Sequence, residues 1–205
     1  MCGRKVYNLL GDEMDKKYLL DDKNTLKDHF IYVYSPRCQS FTEFDFEKDH
    51  CVNRENKDID ARFDYVSALN KEKVVAPVKI NTECSFDFFG APLIVIAQDI
   101  CKKDGKWFYG KHLEVVAYEE GINVWEIVPD DINITNVELI GEKKFAVNER
   151  EKFVLDVEIS KNKLVARIGA DEIVVDYNFH KEFFVGFTAC EGVNRFYSFN
   201  IKKDD

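Results

Sequence analysis

Phe153-Val154-Leu155-Asp156-Val157-Glu158-Ile159-Ser160-Lys161-Asn162-Lys163-Leu164-Val165-Ala166-Arg167-Ile168 is the stretch on which the reading of the fold turns. Apolar and polar side chains alternate on both sides of Ser160-Lys161-Asn162-Lys163, the period of a half-buried strand. The residues between the two runs are turn formers, and Asn tolerates the left-handed conformation that a tight turn needs. The spacing therefore predicts an antiparallel hairpin. Toward the C-terminus, Gly169-Ala170-Asp171-Glu172 turns the chain into a further strand, Ile173 to Tyr177. Phe183 to Ala189 and Arg195 to Ile201 supply the last two strands.

The same period runs through the N-terminal two thirds. Strands are expected over Phe30 to Tyr34, Phe41 to Glu47, Arg62 to Leu69 and Val74 to Ile80, with Pro77 marking an edge or a bulge. Ser85 to Phe89 and Leu93 to Ala97 are expected as strands around Gly90-Ala91-Pro92, and Lys102 to Lys106 as a turn. His112 to Tyr118 and Ile122 to Val128 flank Glu119-Glu120-Gly121, a hairpin signal. Asp49 to Asp60 reads as a loop. One short helix is expected, Asp12 to Leu20, with Asp12 as its N-cap, in an N-terminal segment spanning residues 1–28. About a dozen short strands with frequent turns and no repeat or linker predict one all-β domain, residues 1–205, a sandwich or barrel of antiparallel sheets.

Composition narrows the partners. The net charge is −9, and no cluster of Lys and Arg interrupts the acidic background. Nucleic-acid binding rests on phosphate neutralisation, so this chain is not expected to bind nucleic acid or an anionic membrane surface. The apolar run Val6 to Leu10 is too short for an export signal, and the expected location is cytoplasmic. The six cysteines are scattered without a C-x-x-C pair and are expected as free, mostly buried thiols. No cofactor or metal is implied; Asp58, Asp60 and Asp64 form the only candidate for calcium, without a compelling loop spacing. Asn133-Ile134-Thr135 matches a glycosylation acceptor, which has no meaning in a cytoplasmic chain.

The C-terminal hairpin carries a resemblance. Leu155 to Ile159, the turn at Lys161-Asn162, Leu164 to Ile168, Ile173 to Asp176, Val185-Gly186-Phe187-Thr188-Ala189 and Gly192 to Ile201 together resemble the closing strands of the concanavalin A-like lectin and glucanase superfamily. The resemblance covers roughly residues 150–203, and elsewhere is only at the level of strands. It implies a concanavalin A-like jelly-roll β-sandwich of two curved antiparallel sheets, with a carbohydrate bound on the concave one.

Two clusters are candidates for that chemistry. In Phe41-Thr42-Glu43-Phe44-Asp45-Phe46-Glu47, alternation places Glu43, Asp45 and Glu47 on one face. This resembles the E-x-D-x-E strand of laminarinase- and lichenase-type glycoside hydrolases. The resemblance implies Glu43 as nucleophile, Glu47 as general acid/base and Asp45 as the group that tunes them. Strand positions i and i+4 lie about 13 Å apart at the backbone, and two leaning Glu side chains would approach the roughly 5–5.5 Å of a retaining mechanism. The competing reading is an edge strand blunted by charge.

The second cluster is Trp107, Tyr109, His112 and Glu114, with Asn123 and Trp125 on the next strand. Aromatic faces stack on sugar C–H groups, and Asn, His and Glu hydrogen-bond hydroxyls. His112 and Glu114 also make a candidate acid/base pair. Arg195, after Glu191-Gly192, is a weaker ligand candidate, and Arg37 and Cys38 are weaker still. Three functions stay open: a carbohydrate-binding protein using the aromatic cluster, a retaining glycoside hydrolase using Glu43 and Glu47, and a structural sandwich. Sheet faces also pair, which admits a homodimer.

Overall fold

A computed structural model describes residues 15–34, 42–54, 65–130 and 133–203. Asp12, Phe41, Arg37, Cys2, Cys38, Asp58, Asp60 and Asp64 lie outside the described residues. The elements are β1 (Lys16–Leu19), α1 (Lys23–His29), β2 (Phe30–Val33), β3 (Asp45–Phe46), β4 (Cys51–Val52), β5 (Val66–Asn70), β6 (Val74–Val75), β7 (Val78–Asp87) and β8 (Ala91–Ala97). There follow β9 (Ile100–Lys103), β10 (Lys106–Tyr109), β11 (His112–Tyr118), β12 (Gly121–Asp130), β13 (Asn133–Lys144), β14 (Phe153–Ser160), β15 (Lys163–Ile168), β16 (Asp171–Asp176), β17 (Glu182–Cys190) and β18 (Val193–Lys203).

The strands form two sheets. An eight-stranded sheet runs β16-β15-β14-β7-β18-β4-β3, with β1 also on β18. A ten-stranded sheet runs β13-β12-β11-β8-β17-β5-β2-β10-β9, with β6 on β17. Pairing is antiparallel throughout except between β2 and β10. This is a jelly-roll β-sandwich, the architecture expected from the sequence.

Phenylalanines join the sheets. Phe187 of β17 meets Phe196 and Phe199 of β18 at ring separations of 4.8 and 5.4 Å. Phe30 and Phe44 each lie 5.5 Å from the same Phe187 ring. Burying a ring of this size contributes about 1.5–3 kcal/mol, which gives these phenylalanines a structural use. Cys51, Cys84 and Cys190 are buried free thiols and Cys101 an exposed one, and burial pushes the Cys51 and Cys84 thiols up.

Several elements differ from expectation: β4 lies inside the expected Asp49 to Asp60 loop, and β9 and β10 take Lys102, Lys103 and Lys106 out of the expected turn by pairing with each other. Lys16–Leu19 is a strand rather than part of a helix, because it pairs with the last strand from Lys16↔Ile201 to Leu19↔Ser198. The helix comes later, at Lys23–His29, where the Asp22 carboxylate accepts the Asn24 backbone N–H at 3.1 Å as an N-cap. The Val74 to Ile80 strand is split at Ala76-Pro77: β6 pairs in the ten-stranded group and β7 in the eight-stranded one. Pro77, without an N–H, sits where the chain changes sheet. Asn133–Lys144 is a long strand that the sequence reading left unassigned. It lies at the edge of its sheet, so its exposed charges break the alternation that a half-buried strand would show.

Candidate functional site

Core residues Val66, Ala68, Ile94, Ile96, Leu113, Val115, Ala117, Val185 and Phe187 fix the inner face of the ten-stranded sheet. Their neighbours in sequence therefore point outward. Register aligns Ile31, Leu69, Gly186, Val95, Glu114, Trp125 and Leu139 in one outward row across seven strands. The adjoining row is Val33, Ser67, Thr188, Leu93, Val116, Asn123 and Glu142. Gly186 lets the strands close up here: a Cβ on it would lie 2.1 Å from the Ala68 carbonyl oxygen.

The outer face is mostly apolar and covered. Val33, Leu69, Leu93, Val95, Ala97, Tyr109 and Cys190 form a second buried cluster there. Tyr109 reaches in from β10. Its hydroxyl bonds the Ser67 hydroxyl, and Ser67 Oγ lies 2.5 Å from Thr188 Oγ1. Burial holds the Tyr109 phenol well above its ordinary range. Three hydroxyls thus satisfy one another beneath the apolar surface.

Glu114 is the exception in this setting. It is only 3 % exposed. The Tyr65 hydroxyl donates to its Oε1 at 2.8 Å, and His112 Nε2 lies 3.7 Å from the same oxygen. His112 Nδ1 donates to the Gly110 carbonyl at 2.8 Å, which sets the ring's orientation. The Tyr109 ring lies 4.6 Å from the imidazole. Taking a carboxylate out of water costs several kcal/mol unless it is paired and hydrogen-bonded, and Tyr65 and His112 each present a polar group to it.

Beside Glu114 lies a pocket of about 280 Å³, lined by Ala91, Glu114, Val116, Tyr118, Asn123, Trp125, Val137, Cys190 and Glu191. That is near the lower limit of about 300 Å³ for small-molecule sites. Asn123 Oδ1 is enclosed and has no hydrogen-bond partner among the described residues. The pocket thus combines an indole, a phenol, a carboxamide and two carboxylates on an apolar floor.

The predicted ligand residues separate into three groups. Glu114, Asn123 and Trp125 meet in the pocket. Tyr109 and His112 lie beneath the same face but are buried, and support Glu114 from the side. Trp107 and Arg195 lie elsewhere. Trp107 sits on the outlying β10, with Lys102 Nζ 5.3 Å from the centre of its ring. Arg195 belongs to β18 in the other sheet, opposite Val52 and Ser85. Tyr65, Tyr118, Cys190 and Glu191 were not singled out as ligands. Tyr118 shares the alternation of His112, Glu114 and Val116 and was legible on that ground. Tyr65 and Glu191 come from remote segments and carry no local signal.

The acidic stretch occupies a different place. Among the described residues of this stretch only Asp45–Phe46 is strand, at the edge of the eight-stranded sheet; Phe44 turns into the core and Thr42 and Glu43 make no ladder. Each carboxylate lies beside a separate basic side chain. Glu43 Oε2 lies 2.9 Å from Lys23 Nζ, Asp45 Oδ1 2.6 Å from Arg54 Nη2, and Glu47 Oε2 3.5 Å from His50 Nε2. None of the three lines the pocket of the ten-stranded sheet.

No protein-family model matches the chain, and no curated protein sequence does. Solved structures do. The carbohydrate-binding module CBM66 from Bacillus subtilis superposes with a TM-score of 0.63 at 10 % identity, over 85 % of this chain and 96 % of that one. β-Agarase A from Zobellia galactanivorans gives 0.65 at 8 % identity, over 94 % of each chain. A legume lectin-like domain from Entamoeba histolytica gives 0.61 at 12 % identity, over 98 % of this chain and all of that one. At these identities the likeness is one of fold, and the fold is the concanavalin A-like jelly roll.

Proposed function

We propose that the protein binds a neutral glycan in the pocket on the outer face of its ten-stranded sheet. The observation that carries this is the convergence of Trp125, Tyr118, Asn123 and Glu114 in one recess. Trp125 offers a flat apolar face to sugar C–H groups, while Asn123 and Glu114 hydrogen-bond hydroxyls. Two carboxylates in the pocket and a net charge of −9 disfavour sulfated or acidic sugars. Keeping Glu114 in an apolar surface costs stability that a leucine would not, as expected of a group retained for recognition. Structural neighbours that include a carbohydrate-binding module and an agarase make the same ligand class a natural one.

The test is an array of neutral β-galactans, β-glucans, xylans, fructans and N-acetylhexosamine oligomers, probed with wild type and Trp125→Ala. A central aromatic anchor is worth about 2 kcal/mol or more, so the variant should bind at least tenfold more weakly. Equal binding by both proteins would remove the Trp125 platform.

A second reading is favoured by one observation: Glu114 and Glu191 line the same pocket, and glycoside hydrolysis uses a pair of carboxylates. Release of reducing sugar from the bound glycans, abolished in Glu191→Gln, would convert the binding protein into an enzyme. Glu43, Asp45 and Glu47 take no part in this function: Lys23 and Arg54 lie beside the first two, and none of the three lines the pocket.

A further inference from the structure

The turn between β7 and β8 sets two aromatic rings against two physical preferences. The Gly90 N–H donates to the Asp87 carbonyl at 3.0 Å, closing a β-turn over Phe88 and Phe89 where the chain crosses from the eight-stranded to the ten-stranded sheet. Their φ angles are 53° and 61°, so both central residues are left-handed, the type I′ geometry. That geometry favours Asn-Gly and is unfavourable for bulky residues. Phe88 and Phe89 are also 59 % and 71 % exposed, the two most exposed large apolar side chains among the described residues. Positive φ and high exposure together set this tip apart, and strain of this kind gathers at ligand-binding sites.

The tip is held firmly. Asp87 Oδ1 accepts the Phe88 N–H at 3.0 Å, and Glu149 Oε1 accepts the Phe89 N–H at 3.1 Å. Arg150 donates from Nε to Asp87 Oδ2 at 2.9 Å and from its backbone N–H to the Phe86 carbonyl at 2.8 Å. It also stands at one end of the pocket. Phe89 is two residues from Ala91, which lines the pocket. On the neighbouring turn, Gly192 follows the pocket residue Glu191. A Cβ on Gly192 would lie 2.3 Å from the Phe88 carbonyl oxygen, so only glycine lets the two turns pack.

We infer that Phe88 and Phe89 form a second sugar-stacking subsite, which engages a later unit of a glycan whose first unit fills the pocket. This rests on the glycan-binding reading above. Two rings are a small patch beside the roughly 1,200–2,000 Å² that stable protein interfaces bury, whereas an aromatic face and a sugar ring match in size. Asp87, Glu149 and Arg150 surround the tip with mixed charge, which gives an anionic membrane no purchase. A tip whose backbone is already fixed by these bonds loses little backbone freedom on stacking.

The double substitution Phe88→Asn with Phe89→Gly supplies the sequence this turn prefers, and should fold at least as stably as wild type. The single Phe89→Asn is the second variant. Wild type and variants are titrated calorimetrically with a neutral glycan bound on the array, as disaccharide and as hexasaccharide. The expected result is a loss of about tenfold in hexasaccharide affinity with disaccharide affinity unchanged. Equal hexasaccharide affinity, or equal loss for both lengths, would overturn the subsite while leaving the pocket standing. If wild type binds no glycan on the array, the pocket reading fails and the subsite with it. Sedimentation velocity adds one arm: a wild-type dimer that the double variant dissolves would assign the tip to a second copy of the chain instead.

Discussion

Glu43, Asp45 and Glu47 at the edge of one sheet, and Glu114 in the middle of the other, are the same functional group in opposite environments. The first three have side chains 45 %, 51 % and 63 % exposed, each beside its own basic side chain. Glu114 is enclosed, bonded by Tyr65 and flanked by His112. In water a carboxylate is cheap, and its ion pairs are worth about 0–1 kcal/mol. Inside, the same group is costly and persists only with partners. Enclosure beside an indole and a free recess, rather than a count of acidic residues, marks the candidate site.

The largest effect expected in the acidic stretch does not come from its acids. Phe44 packs on Phe187 and Phe196 at 5.5 and 5.8 Å. Phe44→Ala should cost about 3–5 kcal/mol in urea denaturation, as expected for a buried ring. A loss below about 1 kcal/mol would mean that the phenylalanine does not anchor the segment.

Next is Glu114→Gln, which keeps the shape and the oxygen that accepts from Tyr65. Affinity for an array-selected glycan should fall about tenfold, or about 1.4 kcal/mol, with little change in stability. Undiminished affinity would remove Glu114 from the site. The matching triple substitution Glu43→Gln, Asp45→Asn and Glu47→Gln should shift stability by less than about 1 kcal/mol and leave glycan affinity as it was. If instead the triple variant loses binding and Glu114→Gln does not, the comparison between the two regions is reversed.

The smallest effect is one of pH. His50 Nδ1 donates to Asp49 Oδ1 at 2.8 Å and Lys152 lies 3.2 Å from Oδ2, and together they hold the Asp49 carboxyl below its ordinary range. A carboxyl whose folded value is depressed adds stability above its unfolded value, near 3.8, and loses it as pH falls through the folded value. The difference in denaturation midpoint between wild type and Asp49→Asn should therefore be present at about pH 5 and shrink as the pH falls below 3.8. A gap that stays constant across that range would show that the ion pair contributes nothing to acid stability.

Much of the fold was legible because strands buried on one face alternate. The β14–β15 hairpin and strands β16, β17 and β18 fall where the alternation puts them. Alternation fails where burial does. β13 lies exposed at a sheet edge, and β1 is a strand only because β18 offers it a ladder. For the site, the spacing Glu114, Asn123, Trp125 was legible because one hairpin brings those residues onto one face.

The amino-acid order by itself determined the C-terminal strands and the β14–β15 and β11–β12 hairpins, the phenylalanine-rich core and the facing of Glu114 and Trp125, since all of these follow from local period and residue type. Only the tertiary structure decided that Glu43, Asp45 and Glu47 lie at an edge, that Tyr65 and Glu191 join Glu114, and that Phe88 and Phe89 stand at the pocket's end. Those relations join residues far apart in the chain, and register across a sheet, unlike alternation along a strand, is set by pairing with remote partners.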